Sequence, residues 1–152
     1  MKEIKSIDEL MQSRFENSKH RVTANIVYTA GWIKNRFKDF YSSYGLSIQQ
    51  YNILRILRGA GDWLNIQEVR SRMVEKSPNT TRLCDKLEEK GWILRRKGDQ
   101  DKREVFMKIS PDGLDLMSKI DKEDDGSMAD FMANFTEEEA EVVSKFLDKL
   151  KS

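Results

Sequence analysis

The chain has 152 residues, of which 38% are hydrophobic and 35% charged, enough for one buried core in one charge-rich globular domain. No apolar run approaches the ~20 residues that span a bilayer, no basic-then-apolar leader is visible at the start, and the single cysteine, Cys84, excludes an internal disulfide and fits a reducing cytoplasm. The net charge of +1 conceals a division. Residues 112–152 carry five Lys against twelve Asp and Glu, a net of −7, so residues 1–111 carry +8. Such a split suggests one face for nucleic acid and another held away from it.

Ser6-Ile7-Asp8-Glu9 is a capping box that opens a short first helix carrying Ile7, Leu10 and Met11. From Arg21 to Tyr44 the apolar residues Val22, Ile26, Ala30, Ile33, Phe37, Phe40 and Tyr44 step by threes and fours, the pattern of one long helix. Val27, Trp32 and Tyr41 lie off that stripe, so the helix is apolar on more than one side, and two buried faces in a small protein suggest a dimer. His20, at the helix start, has no Cys or second His nearby and reads as a surface residue rather than a metal ligand. Gly45 ends this helix. Ser47-x-x-Gln50 caps the next, a strongly buried segment with Tyr51, Ile53, Leu54, Ile56 and Leu57. Gly59 to Asp62 break it, and Trp63-Leu64 read as a one-bridge strand. Asn65-x-x-Glu68 caps a further helix bearing Ile66, Val69 and Met73, with Arg70, Arg72 and Lys76 on or near its exposed side.

Ser77 is then placed to cap another helix with Pro78 at its first position, where a missing N–H costs nothing. Leu83, Leu87 and Lys90 repeat at helical spacing, and Gly91 stops the helix. Trp92 to Lys97 read as a strand, Gly98-Asp99-Gln100-Asp101 as a turn. Beyond Arg103 the chain alternates, with Val105, Met107 and Ile109 facing one way and Glu104, Phe106 and Lys108 the other. Ser110-Pro111-Asp112 caps a helix with Leu114, Met117 and Ile120 on its core side. The acidic stretch Asp121 to Gly126 is expected to loosen it, and Met128, Phe131, Met132 and Phe135 resume an apolar stripe. Thr136-x-x-Glu139 caps the last helix, with Val142, Val143, Phe146, Leu147 and Leu150.

The polar side of the helix after Ser77 carries Asn79, Thr80, Arg82, Asp85 and Lys86. Amides and Arg suit base edges; hydroxyls, Lys and backbone N–H groups suit phosphates. A solvated face is the ordinary reading of such residues. Here a second short helix precedes at helix-turn-helix spacing and a basic hairpin follows, which favours DNA.

Three stretches resemble the MarR family of bacterial regulators, over roughly residues 20 to 150. Asp101-Lys102-Arg103, then Lys108-Ile109-Ser110-Pro111-Asp112-Gly113-Leu114, is similar to its DxR…LT-x-x-G signature, with Ser110 in place of Thr. Leu87-Glu88-Glu89-Lys90-Gly91-Trp92-Ile93 with Arg95-Arg96 is similar to the junction between its recognition helix and wing. Gly45-Leu46-Ser47 with Gln50, Tyr51 and Leu54 resembles its L-T-x-x-Q-aromatic helix start. The wing tip departs from the pattern, because Asp99 and Asp101 flank Gln100.

The resemblance implies a mostly α protein with a small β-hairpin wing. It would be one winged helix-turn-helix domain over 1–152, with dimerisation helices at 1–44 and 111–152 and a DNA-binding lobe at 45–110. The implied function is that of a homodimeric, cytoplasmic, sequence-specific transcriptional regulator of double-stranded DNA, a repressor released by a small aromatic or lipophilic effector, on a near-palindromic operator. Asn79, Thr80 and Arg82 would approach base edges; Ser77, Thr81 and Lys86 would hold phosphates; Arg103, Lys102 and Lys97 would reach the backbone or minor groove from the wing. Asp101 would orient Arg103 through an ion pair, with plain turn chemistry as the alternative, and one of Arg95 and Arg96 would be structural. Tyr28, Trp32 and Tyr51 are candidate liners of an effector pocket between the long helix and the DNA-binding lobe.

No catalytic constellation stands beside these features. Cys84 falls between Leu83 and Leu87 on the core side and reads as a structural thiol rather than a redox sensor. No Gly-rich phosphate loop and no EF-hand spacing occur, so neither enzyme nor cofactor is expected. Two rival readings remain: a winged helix that meets an acidic protein partner, and a small-molecule sensor without DNA binding.

Overall fold

The computed structural model describes residues 5–124 and 132–152. In chain order these form α1 (Ile7–Met11), α2 (Ser18–Ser42), α3 (Ile48–Ala60), β1 (Leu64–Asn65), α4 (Ile66–Arg72), α5 (Thr80–Glu89), β2 (Ile93–Lys97), β3 (Val105–Ile109), α6 (Pro111–Glu123) and α7 (Glu137–Lys149). Met128 and Phe131 of the expected C-terminal stripe lie outside the described residues.

Caps set most of these boundaries. Reciprocal capping boxes form at Ser6–Glu9, Ser47–Gln50, Asn65–Glu68 and Thr136–Glu139, each satisfying two orphan backbone donors of a first turn. The long helix starts three residues before Arg21, because Asn17 Oδ1 accepts from the Lys19 and His20 N–H groups, both at 3.0 Å. It stops at Ser42 rather than Tyr44. The acidic residues Asp121 to Glu123 stay within α6, so the expected loosening does not begin there.

The core is built around α3. Ile53, Leu54 and Leu57 are fully buried, and α3 packs on α2, α4, α5, α6 and β3. Burial of each such side chain stabilises the fold by about 1.5–3 kcal/mol. Val69 of α4, Cys84 and Leu87 of α5, Met107 of β3 and Met117 of α6 complete the same cluster. The three strands form an antiparallel sheet in the order β1-β3-β2. Leu64 stands opposite Met107, and Ile93 to Lys97 run opposite Ile109 to Val105.

The long helix differs from the rest. Only Tyr41, off its expected stripe, is buried, while Val22, Val27 and Trp32 are exposed. On α7, Val142, Val143, Phe146 and Leu147 are exposed as well, and so is Leu150 at its C-cap. Among the described residues, the apolar face of α7 and the first half of α2 are left largely uncovered, while Phe37 and Phe40 of α2 pack against the core.

Ser110 locks α6 to the end of α5. Its N–H donates to the Trp92 carbonyl at 3.0 Å, its hydroxyl donates to the Gly91 carbonyl at 2.6 Å, and the same oxygen accepts from the Gly113 N–H at 3.0 Å. The backbone passes so close that a Cβ at Gly113 would stand 2.2 Å from the Trp92 carbonyl oxygen.

Candidate nucleic-acid interface

The helix-turn-helix consists of α4 and α5 joined by residues 73–79, and it corrects the expected start of the second helix. Pro78 and Asn79 form a turn, and α5 begins at Thr80. The Ser77 hydroxyl accepts from the Asn79 N–H at 3.2 Å, so it caps that turn and not the helix. The cause is local: a residue before proline is pushed out of the helical region, and Asn79, at φ −101° and ψ 26°, is not helical either.

Thr80, the first residue of α5, faces inward. It is fully buried, its hydroxyl donates to the Ser77 carbonyl at 2.8 Å, and it lies 3.8 Å from Met73 Sδ. Thr80 belongs to the core stripe with Cys84 and Leu87, so it is withdrawn from the base-reading set. Asn79 gains by the later helix start. It holds the N-cap position yet its side chain makes no capping bond, and its amide stays exposed beside the helix start. Thr81, Arg82 and Lys86 are exposed on the side of α5 away from the core. Ser77 is half-buried at the edge of this face.

The wing is a hairpin of β2 and β3 around residues 98–104. The Gly98 N–H donates to the Glu104 carbonyl at 2.9 Å and the Glu104 N–H to the Asp101 carbonyl at 3.1 Å. A Cβ at Gly98 would come within 2.5 Å of the Asp101 carbonyl oxygen, so only glycine fits there. Asp101 Oδ1 accepts from the backbone N–H of Arg103 at 2.9 Å. That is turn chemistry, and no ion pair joins Asp101 to the Arg103 guanidinium among the described residues; the expected wing-orienting pair is corrected accordingly. The consequence is that the Arg103 side chain is left exposed.

Both arginines of β2 are structural. Arg95 Nη2 donates to Asp85 Oδ1 of α5 at 2.6 Å. Its Nε lies 3.2 Å from Glu88 Oε2 but is not aimed along a hydrogen bond, so that contact is ionic only. The Arg96 guanidinium lies over the rings of Trp63, at 4.9 Å, and Phe106, at 5.6 Å, a cation–π arrangement that braces β2 against the segment before β1. Composition and periodicity give no sign of either contact, because each joins residues distant in sequence.

With those arginines paired, the remaining cations stand out. Arg82, Lys86, Lys97, Lys102 and Arg103 are exposed and make no ion pair among the described residues. Unpaired cations on a helix and the hairpin after it form a surface that phosphates can neutralise without breaking any internal contact.

The three aromatic residues considered for an effector pocket do not come together. Tyr51 stacks on Tyr41, with ring centroids 3.9 Å apart, and Tyr28 is exposed. Trp32 alone lines a groove of about 750 Å³, with Ile33 and Arg36 of α2, Phe135, and Val143 and Leu147 of α7. The groove therefore lies between α2 and α7 rather than against residues 45–110. No group of His, Cys, Asp and Glu able to hold a metal ion occurs among the described residues, and no described helix is long and apolar enough to cross a membrane.

Residues 46–105 match the sequence model of the MarR family. The chain is 33% identical over 102 residues to the HTH-type transcriptional regulator PecS of Dickeya dadantii, a match covering 65% of this chain and 61% of PecS. This chain thus spans less than two thirds of that relative. Over this segment the chain is similar to the MarR family of regulators. The fold is that of a MarR winged helix: the structure of a mutant of E. coli MarR complexed with operator DNA superposes with a TM-score of 0.74 at 19% identity, over 90% of this chain and 99% of that one. The organohalide-sensing regulator RdhR-CbdbA1625 in its 2,4-dichlorophenol-bound form gives a TM-score of 0.77 at 24% identity, over 93% and 86%. α5 and residues 98–104 occupy the places that the recognition helix and the wing tip hold in the MarR fold.

Proposed function

We propose that this chain is a dimeric, sequence-specific DNA-binding repressor of the cytoplasm, with its DNA-binding lobe at 45–110 and dimerisation helices at 1–44 and 111–152. The observation that carries the reading is the set of exposed cations that make no ion pair among the described residues, Arg82, Lys86, Lys97, Lys102 and Arg103, on the recognition helix and wing. Asn79 and Arg82 read base edges, Ser77, Thr81 and Lys86 hold phosphates, and the wing cations reach the backbone or minor groove.

Surface area supports the dimer. A compact chain of 17.8 kDa exposes about 8,000 Å², whereas this chain exposes 11265 Å². Among the described residues, Val142 and Phe146 of α7, Leu150 just after it, and Val22 and Val27 of α2 lie bare. A second copy covers such faces, and two-fold symmetry then presents two recognition helices to half-sites about 10 bp apart. Small aromatic or lipophilic effectors fit the apolar groove beside Trp32.

Fluorescence anisotropy against random duplexes and against duplexes enriched from a random pool tests this directly. The proposal predicts tighter binding to the enriched sequence and a log–log salt slope of about −0.9 per phosphate contacted. The acidic wing tip, with Asp99 and Asp101 both exposed, favours the rival reading of a protein-contact module. Failure to bind any duplex at low salt would turn the assignment to that rival.

A further inference from the structure

The recognition helix is placed by a connection held from outside. The Val74 N–H donates to Oδ1 of buried Asn52, on α3, at 3.0 Å. The carboxylate of Glu75 is then gripped at both oxygens by two different elements. Lys34 Nζ of α2 donates to Oε1 at 2.8 Å, and Gln49 Nε2 of α3 donates to Oε2 at 3.2 Å. Two residues later, Ser77 engages Asn79 through its hydroxyl and Thr80 through its carbonyl. From Glu75 the chain thus runs within two residues to the hydrogen bonds that hold the first turn of α5. Lys34 itself follows Trp32 and Ile33 on the long helix, where both line the groove against α7.

We infer that Glu75 is a positioning residue for DNA recognition, and that the Lys34–Glu75–Gln49 junction ties the placement of the recognition helix to the long helix α2. The inference rests on the DNA-binding reading above. Energetics sharpen it. Lys34 and Glu75 are both well exposed, and exposed ion pairs contribute little to global stability. Holding the fold together is thus not the junction's main effect. Charge argues against a simple electrostatic role too. Glu75 precedes Lys76 and Ser77 at the edge of the basic face, so its carboxylate repels phosphate. If charge alone mattered, removing it would tighten binding to every duplex alike. If position matters, removing it weakens selective binding while general binding holds or improves. The two roles predict opposite signs.

The experiment uses the whole protein and two duplexes, one enriched by the wild type from a random pool and a scrambled version of it. Anisotropy at one salt concentration gives the ratio of the two affinities, and a melting curve checks the fold. Glu75→Ala is expected to lower the ratio about tenfold, since it removes two bonds to a charged acceptor, and Lys34→Met about threefold, with the melting temperature nearly unchanged. The double variant should fall no further than Glu75→Ala alone, as expected for residues acting through one contact. The charge swap Lys34→Glu with Glu75→Lys should recover part of the ratio. The inference is overturned if Glu75→Ala and Lys34→Met keep the ratio within about twofold of the wild type, or if Glu75→Ala tightens both duplexes equally. If the wild type enriches no sequence at all, it is the DNA-binding reading that fails, and the inference with it. A wild type that discriminates beside variants that discriminate equally well removes the inference alone.

Discussion

Arg95 on the first wing strand reaches back to Asp85 on the recognition helix, Nη2 to Oδ1 at 2.6 Å. The pair fixes the angle between the two parts of the surface that would meet DNA. Arg95 is one-quarter exposed and Asp85 nearly half, so water screens the pair and its contribution to stability is about 1 kcal/mol or less. Arg95→Met should therefore leave the protein folded, with a melting temperature lowered by only a few degrees. Binding should suffer more, because helix and wing then find their relative angle only on the DNA. Anisotropy alongside a melting curve checks this; a variant that melts normally and binds like the wild type would show that the clamp has no part in recognition.

Gly113 offers a stability prediction with two opposing terms. It is the third residue of α6, where alanine is favoured over glycine by about 1 kcal/mol. A Cβ there would stand 2.2 Å from the Trp92 carbonyl oxygen and 2.8 Å from Ile109 Cγ1. The first neighbour is backbone and cannot rotate away, and forcing it aside costs about 1–3 kcal/mol or more. The clash wins, so Gly113→Ala should lower the urea midpoint. An unchanged or raised midpoint would mean that α6 docks less tightly than its hydrogen bonds to Gly91 and Trp92 indicate.

Cys84 is fully buried, and burial pushes its thiol up to about 11. Native protein at pH 8 should react with iodoacetamide far more slowly than unfolded protein, since the thiolate is the nucleophile. The same shift is linked to stability. A thiol whose folded pKa lies above its unfolded value adds stability that is complete below about pH 8.5 and is lost as the pH rises towards 11. Over that window the wild type should lose stability relative to Cys84→Ala, as read from urea unfolding at several pH values. Parallel curves would contradict the burial of the thiol.

Lys97 and Lys102 lie on the wing, exposed and without ion pairs among the described residues. Phosphate contacts carry no sequence information. Each Lys→Ala change should weaken binding to all duplexes alike and reduce the salt slope by about one. A change in sequence preference would instead place these side chains at base edges.

Local chemistry makes much of the fold legible. The capping boxes at Ser6, Ser47, Asn65 and Thr136 each depend on residues three apart, and each forms. The alternation of Val105, Met107 and Ile109 marks the inner face of β3 for the same reason. Ser77 misleads because a serine before proline carries a helix-cap pattern, while the non-helical Asn79 delays the helix to Thr80. Thr80 misleads with it: the delay does not alter its chemistry, but its place in a stripe with Cys84 and Leu87 decides that it faces the core. The partners of Arg95 and Glu75, and the Trp63 ring under Arg96, are not legible, since each lies in another segment brought near only by tertiary packing. For the same reason Tyr51 resembles a pocket residue in sequence, while the fold sets it against Tyr41.

The most direct test of the recognition surface is Arg82→Ala. Arg82 is exposed on α5, outside every ion pair and side-chain hydrogen bond among the described residues, so its removal should leave the fold intact. Anisotropy with the enriched and scrambled duplexes should show a loss of about tenfold or more for the enriched sequence, a much smaller loss for the scrambled one, and a relaxed preference at one base position. Equal affinity and unchanged preference in the variant would contradict the assignment of α5 as the helix that reads DNA.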